Sequence, residues 1–373
     1  MRKLLVLAIA ASVSAVAIGA AIGEGPGRGN GGRFERAGAA ATWTTVLKSP
    51  FVLEGLTADS DGNLYTTLRN PSPSPCQIVS VSPANTDPTA FTTVGFVPQP
   101  CSPSGLAFGP DGALYITGSG SARDVVVRLV PDAAAPPTAA PYATGIPQAN
   151  GIAFDRDGNL WATDGSRSVG TVWKVPAGGG PGVEAFRVPA TRNDVGVGRT
   201  NNTFPTGTAQ TIVTNGIAFT HDGDALVADS ARGAVWRVRL ANDGTVLSPE
   251  GCDETYAADT LCLDDVLVEH PYLEGLDGIT LDRAGNVWGA ANERNAIVVV
   301  AKDGSVQEFF RNPVGAGQLR NQGPLETPTS PVVVGHTFCV AQSDGNRRDN
   351  SPNVAGEVAN GGKVSCVDQP IDP

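Results

Sequence analysis

Apolar and polar positions along this chain alternate in short bursts rather than in helical stripes. Runs such as Gly151-Ile-Ala-Phe154, Thr171-Val-Trp-Lys-Val175, Ala234-Val-Trp-Arg-Val238 and Ala296-Ile-Val-Val-Val300 are bounded by Gly, Pro, Asp and Asn. This is strand patterning, and the mature chain shows no sustained 3.6-residue apolar period, so long helices are not expected. One ten-residue phrase organises the bursts. It reads Glu54-Gly-Leu-Thr-Ala-Asp-Ser-Asp-Gly-Asn63 and returns as Ser104-Gly-Leu-Ala-Phe-Gly-Pro-Asp-Gly-Ala113 and Asn150-Gly-Ile-Ala-Phe-Asp-Arg-Asp-Gly-Asn159. Two more copies are Asn215-Gly-Ile-Ala-Phe-Thr-His-Asp-Gly-Asp224 and Asp277-Gly-Ile-Thr-Leu-Asp-Arg-Ala-Gly-Asn286.

Each phrase predicts an apolar strand, a turn at Asp-Gly or Ala-Gly, and a second strand. Such turns need the positive φ that Gly tolerates at little cost. Further strand-like runs bring each unit to about four short strands in about 40–50 residues, the signature of a propeller blade. A degenerate sixth copy at Ser330-Pro-Val-Val-Val334, with Phe338-Cys-Val-Ala-Gln342 and Lys363-Val-Ser-Cys-Val367, supplies three strands of a last blade. The spare run Trp43-Thr-Thr-Val-Leu47 can supply the fourth and close the ring, removing exposed sheet edges. The expectation is an all-β, six-bladed β-propeller over residues 41–373.

The termini and composition refine this picture. Met1-Arg2-Lys3 followed by an apolar run to Ala21 reads as a secretory signal over residues 1–21, and a Gly-rich linker over 22–40 follows. Export to a periplasmic or secreted location is the expectation, with no membrane attachment after cleavage. Six cysteines in an exported chain predict disulfides. Blade geometry favours Cys339 with Cys366 on neighbouring strands, Cys252 with Cys262 across one loop, and Cys76 with Cys101 between consecutive blades. The formal charge of −11 argues against nucleic acid and anionic membranes as partners and is compatible with a small-molecule substrate or a divalent cation.

The residue that opens each phrase is the most informative position. First strands line the central channel of a propeller, so Glu54, Asn150, Asn215 and Asp277 should converge at one mouth. Two carboxylates and two amide oxygens form a hard donor set suited to Ca2+ or another divalent cation. The bland alternative is that polar residues before Gly cap a turn. Four ligand-type residues in register favour the metal reading.

At these residues the chain resembles the regucalcin/gluconolactonase family, through Thr214-Asn-Gly-Ile-Ala-Phe-Thr-His-Asp-Gly223, Leu276-Asp-Gly-Ile-Thr-Leu-Asp-Arg-Ala-Gly-Asn-Val-Trp288 and Glu54-Gly55. The resemblance implies a six-bladed calcium propeller that hydrolyses lactones or related esters. It further implies Glu54, Asn150, Asn215 and Asp277 as metal ligands in the family's chain order, with Asp277 also the base or nucleophile. Two positions depart from the gluconolactonase pattern. Gln148 stands where that family has a sugar-binding Arg, and Gly151 where it has Asp, which turns the expected substrate away from sugar-acid lactones.

Other candidates carry less. His221 and His336 fall in hairpin turns, and His270 precedes Asp277 in a loop. Asp164, Asp229 and Asp344 each end a second strand and read as structural caps. The acidic segment Cys252 to Glu269 reads as solvated surface. The long segments Thr191 to Gln210 and Cys252 to Cys262 are expected at the metal-bearing face. Three functions compete: an exported calcium-dependent lactone or ester hydrolase, a non-catalytic secreted binding propeller like NHL-repeat proteins, and a metal-free enzyme like the strictosidine-synthase group. The filled ligand set favours the first.

Overall fold

In a computed structural model, residues 42–166, 170–189, 212–241, 243–247, 260–312, 324–343 and 361–368 are described. They belong to one compact unit, Phe34–Pro373. The expected signal and linker lie outside the described residues. Six sheets, antiparallel except where the two-residue strand Gly180–Pro181 runs parallel to Ala140–Thr144, form six blades, and the only helical pieces among the described residues are three 3-10 turns. No described helix is long and apolar enough to cross a membrane.

Blade 1 runs from the inner strand Leu56–Ala58 through Leu64–Leu68 and Cys76–Val81 to the outer strand Thr92–Val97. The inner strands of blades 2 to 6 are Leu106–Phe108, Ala149–Phe154, Thr214–Phe219, Leu276–Leu281 and Pro328–Val334. The last blade is completed from the other end of the chain. Thr44–Lys48 pairs antiparallel with Lys363–Asp368 as the outer strand of the sheet that begins at Pro328–Val334.

The core is divided among the seams between blades. Second and third strands are apolar at consecutive positions because both of their faces are covered, unlike strands that turn one face to water. In blade 4, Ala225 and Val227 face the seam with blade 3, whereas Leu226 and Ala228 face the seam with blade 5. In blade 5, Ile297 and Val299 pack toward blade 6, and Ala296, Val298 and Val300 toward blade 4. Trp161, Trp236 and Trp288 are fully buried in these seams.

The acidic turn residues of the repeated phrase hold this packing. Asp155 accepts hydrogen bonds from the Asn159 backbone and side chain and from Trp161 Nε1 at 2.9 Å. Asp282 does the same with Asn286 and Trp288, and Asp59 with Asn63 and the Tyr65 hydroxyl. Burial works against the charge of Asp59 and Asp155, but these donors outweigh it and hold both carboxyls below the usual carboxylate range.

Two disulfides follow the blade geometry. Cys339 and Cys366 are register partners on adjacent strands, with Cα atoms 4.1 Å apart. Cys76, which begins the third strand of blade 1, is bonded to Cys101 on the approach to blade 2. Cys262 is disulfide-bonded, and Cys252 lies outside the described residues.

Candidate functional site at the channel mouth

The glycine that follows each opening residue is fixed by the neighbouring blade. A Cβ on Gly55 would stand 2.1 Å from the carbonyl oxygen of Ser104, and one on Gly105 would stand 2.3 Å from that of Asn150. The same contact recurs from Gly151 to Asn215 at 2.4 Å, from Gly216 to Asp277 at 2.7 Å, and from Gly278 to Thr329 at 2.6 Å. Only glycine admits so close an approach. Hydroxyls reinforce the ring: Thr117 Oγ1 donates to the Asn150 carbonyl at 2.7 Å, Thr163 Oγ1 to that of Asn215 at 2.6 Å, and Thr329 Oγ1 to that of Glu54 at 2.6 Å. The turn-capping account of Asn-Gly and Asp-Gly at the start of each phrase is therefore replaced by an inter-blade contact.

This ring sets Glu54, Ser104, Asn150, Asn215, Asp277 and Thr329 at one level around the axis. The sixth member is Thr329, not Ser330. The last hairpin is one residue shorter, since Pro328 pairs with Gln342 where Leu276 pairs with Ala291. Beneath the ring, glycines and Leu or Ile side chains of the inner strands, with Ser330 and Pro331 of blade 6, line a cavity of about 60 Å³.

The side chains at this level are not equivalent. Asn215 and Asp277 are buried, 4% and 6% exposed, and Asn150 is half-buried. Asn150 Nδ2 donates to Asn215 Oδ1 at 2.9 Å, and Asn215 Nδ2 donates to Ser230 Oγ at 3.1 Å. Asp277 Oδ2 accepts from Asn292 Nδ2 at 2.8 Å. On the other side, Glu54 Oε2 is 3.3 Å from Arg69 Nη2. Arg69, Ser230 and Asn292 each lie 15 positions after the opening residue they bond, just past the end of a second strand. That offset is a readable signal, and sequence reasoning missed it.

Arg123 was also missed. It enters from the turn between the second and third strands of blade 2, with φ of +56°. Its Nη2 donates to Ser104 Oγ at 2.5 Å, and Arg69 Nη2 donates to the same oxygen at 3.3 Å. Burial, and next the charge of Arg69, pull the Arg123 guanidinium below its ordinary value, while Glu54 works against them. Its backbone carbonyl accepts from Ala149, one residue before Asn150. The chain also turns through positive φ two residues before the opening position at Gln148 (+42°), Gly275 (+67°) and Thr327 (+53°).

The remaining candidates are elsewhere. His221 and His336 are exposed in turns at the far end of the first strands. His270 Nδ1 accepts from the Tyr272 backbone and caps a 3-10 turn. Asp164 caps Ser166, and Asp229 accepts from the Arg232 backbone and from Trp236 Nε1. Burial pushes Asp164 up and raises the fully buried Asp229 to about 6. Asp344 and the segment Thr191 to Gln210 lie outside the described residues. In the described part of the acidic segment, Asp264 and Glu269 are exposed as expected of a solvated surface, while other residues turn inward. Leu261, Cys262 and Asp265 are buried, Leu261 in the seam of blades 3 and 4, and the chain continues as the outer strand Val266–Glu269.

A cation at this mouth would depend on amide oxygens. No group of three or more His, Cys, Asp or Glu side chains gathers among the described residues. The donor chemistry of Glu54, Asn150, Asn215 and Asp277 nevertheless suits a hard dication.

A six-bladed propeller with a polar ring at its channel mouth defines a class shared by many chemistries. Residues 197–316 match the model of the SMP-30/Gluconolactonase/LRE-like region, a segment that contains Asn215 and Asp277 but not Glu54 or Asn150. No curated protein matches the sequence. Among solved structures, a gluconolactonase from Xanthomonas campestris superposes with a TM-score of 0.57 at 14% identity, over 90% of this chain and 91% of that one. A calcium-binding regucalcin from Agrobacterium tumefaciens gives 0.55 at 17% identity, over 88% and 95%. A PQQ-bound aldose sugar dehydrogenase from Streptomyces coelicolor gives 0.53 at 15%, over 88% and 98%. At such identities the structural likeness establishes the fold alone.

Proposed function

We propose that this protein is an exported hydrolase of a lactone or related ester, dependent on calcium or a similar divalent cation held at the channel mouth. The observation that carries the proposal is the donor set Glu54, Asn150, Asn215 and Asp277 at one level of a ring whose fourth and fifth blades match the gluconolactonase-like family region. These four residues would hold the ion, with Glu54 shared between it and Arg69. When bound, the ion would supply polarisation of the substrate carbonyl. Asp277 acts as general base: water adds to the acyl carbon, its proton passes to the Asp277 carboxylate, and the departing alkoxide takes that proton as the acyl–oxygen bond breaks. Asn292 orients the carboxylate through its 2.8 Å hydrogen bond.

The two disulfides support export, because such bonds persist in oxidising compartments. In this reading residues 1–21 are a cleaved signal and 22–40 a linker ahead of the propeller. The test is a panel of lactones and aryl esters assayed with calcium and with chelator. Calcium-dependent cleavage of at least one member is expected. No cleavage by protein that binds calcium would leave a binding propeller, and cleavage indifferent to chelator would remove the cation from the chemistry.

A further inference from the structure

The one opening residue among the first five that lacks a carboxylate or amide is Ser104, and two guanidinium groups converge on it. Arg69 and Arg123 both donate to Ser104 Oγ, and Ser104 is 2% exposed. Two adjacent positive charges face one carboxylate, Glu54, which reaches only Arg69 in a 3.3 Å pair. Asp124, next in sequence to Arg123, makes no ion pair with either arginine among the described residues and points its Oδ1 toward Gly120. The Nε of Arg123 is buried and has no hydrogen-bond partner. Arg123 also occupies a left-handed backbone conformation that an L-residue adopts at a cost, held by the turn from Gly120 and by the Ala149 contact. A strained, partly buried cation with an unused donor, beside a like charge, is a poor arrangement unless an anion completes it.

We infer that Arg69 and Arg123, seated on Ser104, form an anion-recognition subsite beside the oxygen-donor side of the mouth. The substrate of the proposed hydrolase would then carry a carboxylate or phosphate group. This rests on the hydrolase reading for the word substrate, but not for the anion site itself. The planar guanidinium fork suits both oxyanions. Gln148, two positions before Asn150, is exposed and carries no charge. Cationic recognition therefore enters this mouth from blades 1 and 2 rather than from blade 3.

The test is calorimetric titration of benzoate, phenyl phosphate and the neutral control benzamide into the full chain, in calcium-containing and in chelator-treated buffer. Wild type is expected to bind at least one of the two anions and not benzamide, and the tighter of the two names the oxyanion. Arg123→Gln and Arg69→Gln should each weaken binding by about tenfold, the loss expected for one charged hydrogen bond. Thermal melts would verify that each variant is folded, and Arg69→Gln keeps the test intact if Arg123→Gln is not. Unchanged anion affinity in folded variants, or equal binding of benzamide, would overturn the inference. Wild type that binds benzoate but cleaves no lactone or ester would remove the hydrolase and leave the anion site. Cleavage of neutral esters by protein that binds neither anion would do the reverse.

Discussion

In blades 3 to 5 the opening residues are Asn150, Asn215 and Asp277, and their side-chain partners are amides and a hydroxyl. In blades 1 and 2 they are Glu54 and Ser104, and their partners are guanidinium groups. The backbone beneath is the same in both sectors, since each glycine of the ring packs on the next blade's carbonyl. The difference shows how one scaffold divides its labour. The ring fixes where side chains start, and the residue 15 positions later, or a turn such as Gly120–Arg123, decides what faces them. One sector is left suited to a cation and the other to an anion, within one mouth.

The largest expected effect tests the shared scaffold. Gly151→Ala places a Cβ 2.4 Å from the Asn215 carbonyl and should destabilise the protein by about 3 kcal/mol in thermal or denaturant unfolding. Gly112→Ala is the contrast, because that turn glycine has φ of +73° but open space around it; its cost should be about 1 kcal/mol. Equal costs would mean that the ring contact does not constrain the sectors.

Next comes the oxygen-donor sector. Asp277→Asn keeps an oxygen donor of similar shape but cannot accept a proton, so turnover on a cleaved lactone or ester should fall about 10²-fold at saturating calcium. Near-normal turnover would reduce Asp277 to a ligand. In the cationic sector the prediction has the opposite sign. Arg69→Gln removes a positive charge and frees Glu54, so calcium affinity should rise several-fold by titration, while Asn215→Ala should lower it. A fall in both variants would show that Glu54 does not serve the ion.

The smallest effect concerns Asp229, which precedes Ser230 in the chain. Burial raises its folded pKa to about 6, above the ordinary aspartate value of 3.8. A raised carboxyl pKa stabilises the fold through its protonated form, fully below 3.8, and that contribution is lost as pH rises through 6. Asp229→Asn has no such loss, so its melting temperature relative to wild type should rise between pH 4 and 7. Loss of the contact between Arg232 and Asp229 offsets part of the gain, leaving about 2 °C. A difference that is flat with pH would mean that Asp229 does not titrate in this range.

Blade count, ring closure and the pairings Cys76–Cys101 and Cys339–Cys366 were legible because they follow from local patterning and strand order. The level of the opening residues was legible for the same reason. The misreadings have physical causes. Ser330 was placed by spacing alone, and a hairpin one residue shorter moves the register to Thr329. Of the Cys252–Cys262 segment, expected at the metal-bearing face because it precedes Asp277, only residues 260–262 are described, and Leu261 and Cys262 there are buried. Arg123 was invisible because it meets Ser104 from a turn that no repeat marks, whereas the shared 15-residue offset of Arg69, Ser230 and Asn292 from their opening residues was there to be read.

The most direct test of the central claim is calorimetric titration of calcium into chelator-treated wild-type protein. The account predicts saturable binding of one ion per chain, weakened in Asn215→Ala. Absence of binding, or binding unchanged in that variant, would contradict a cation site at the mouth.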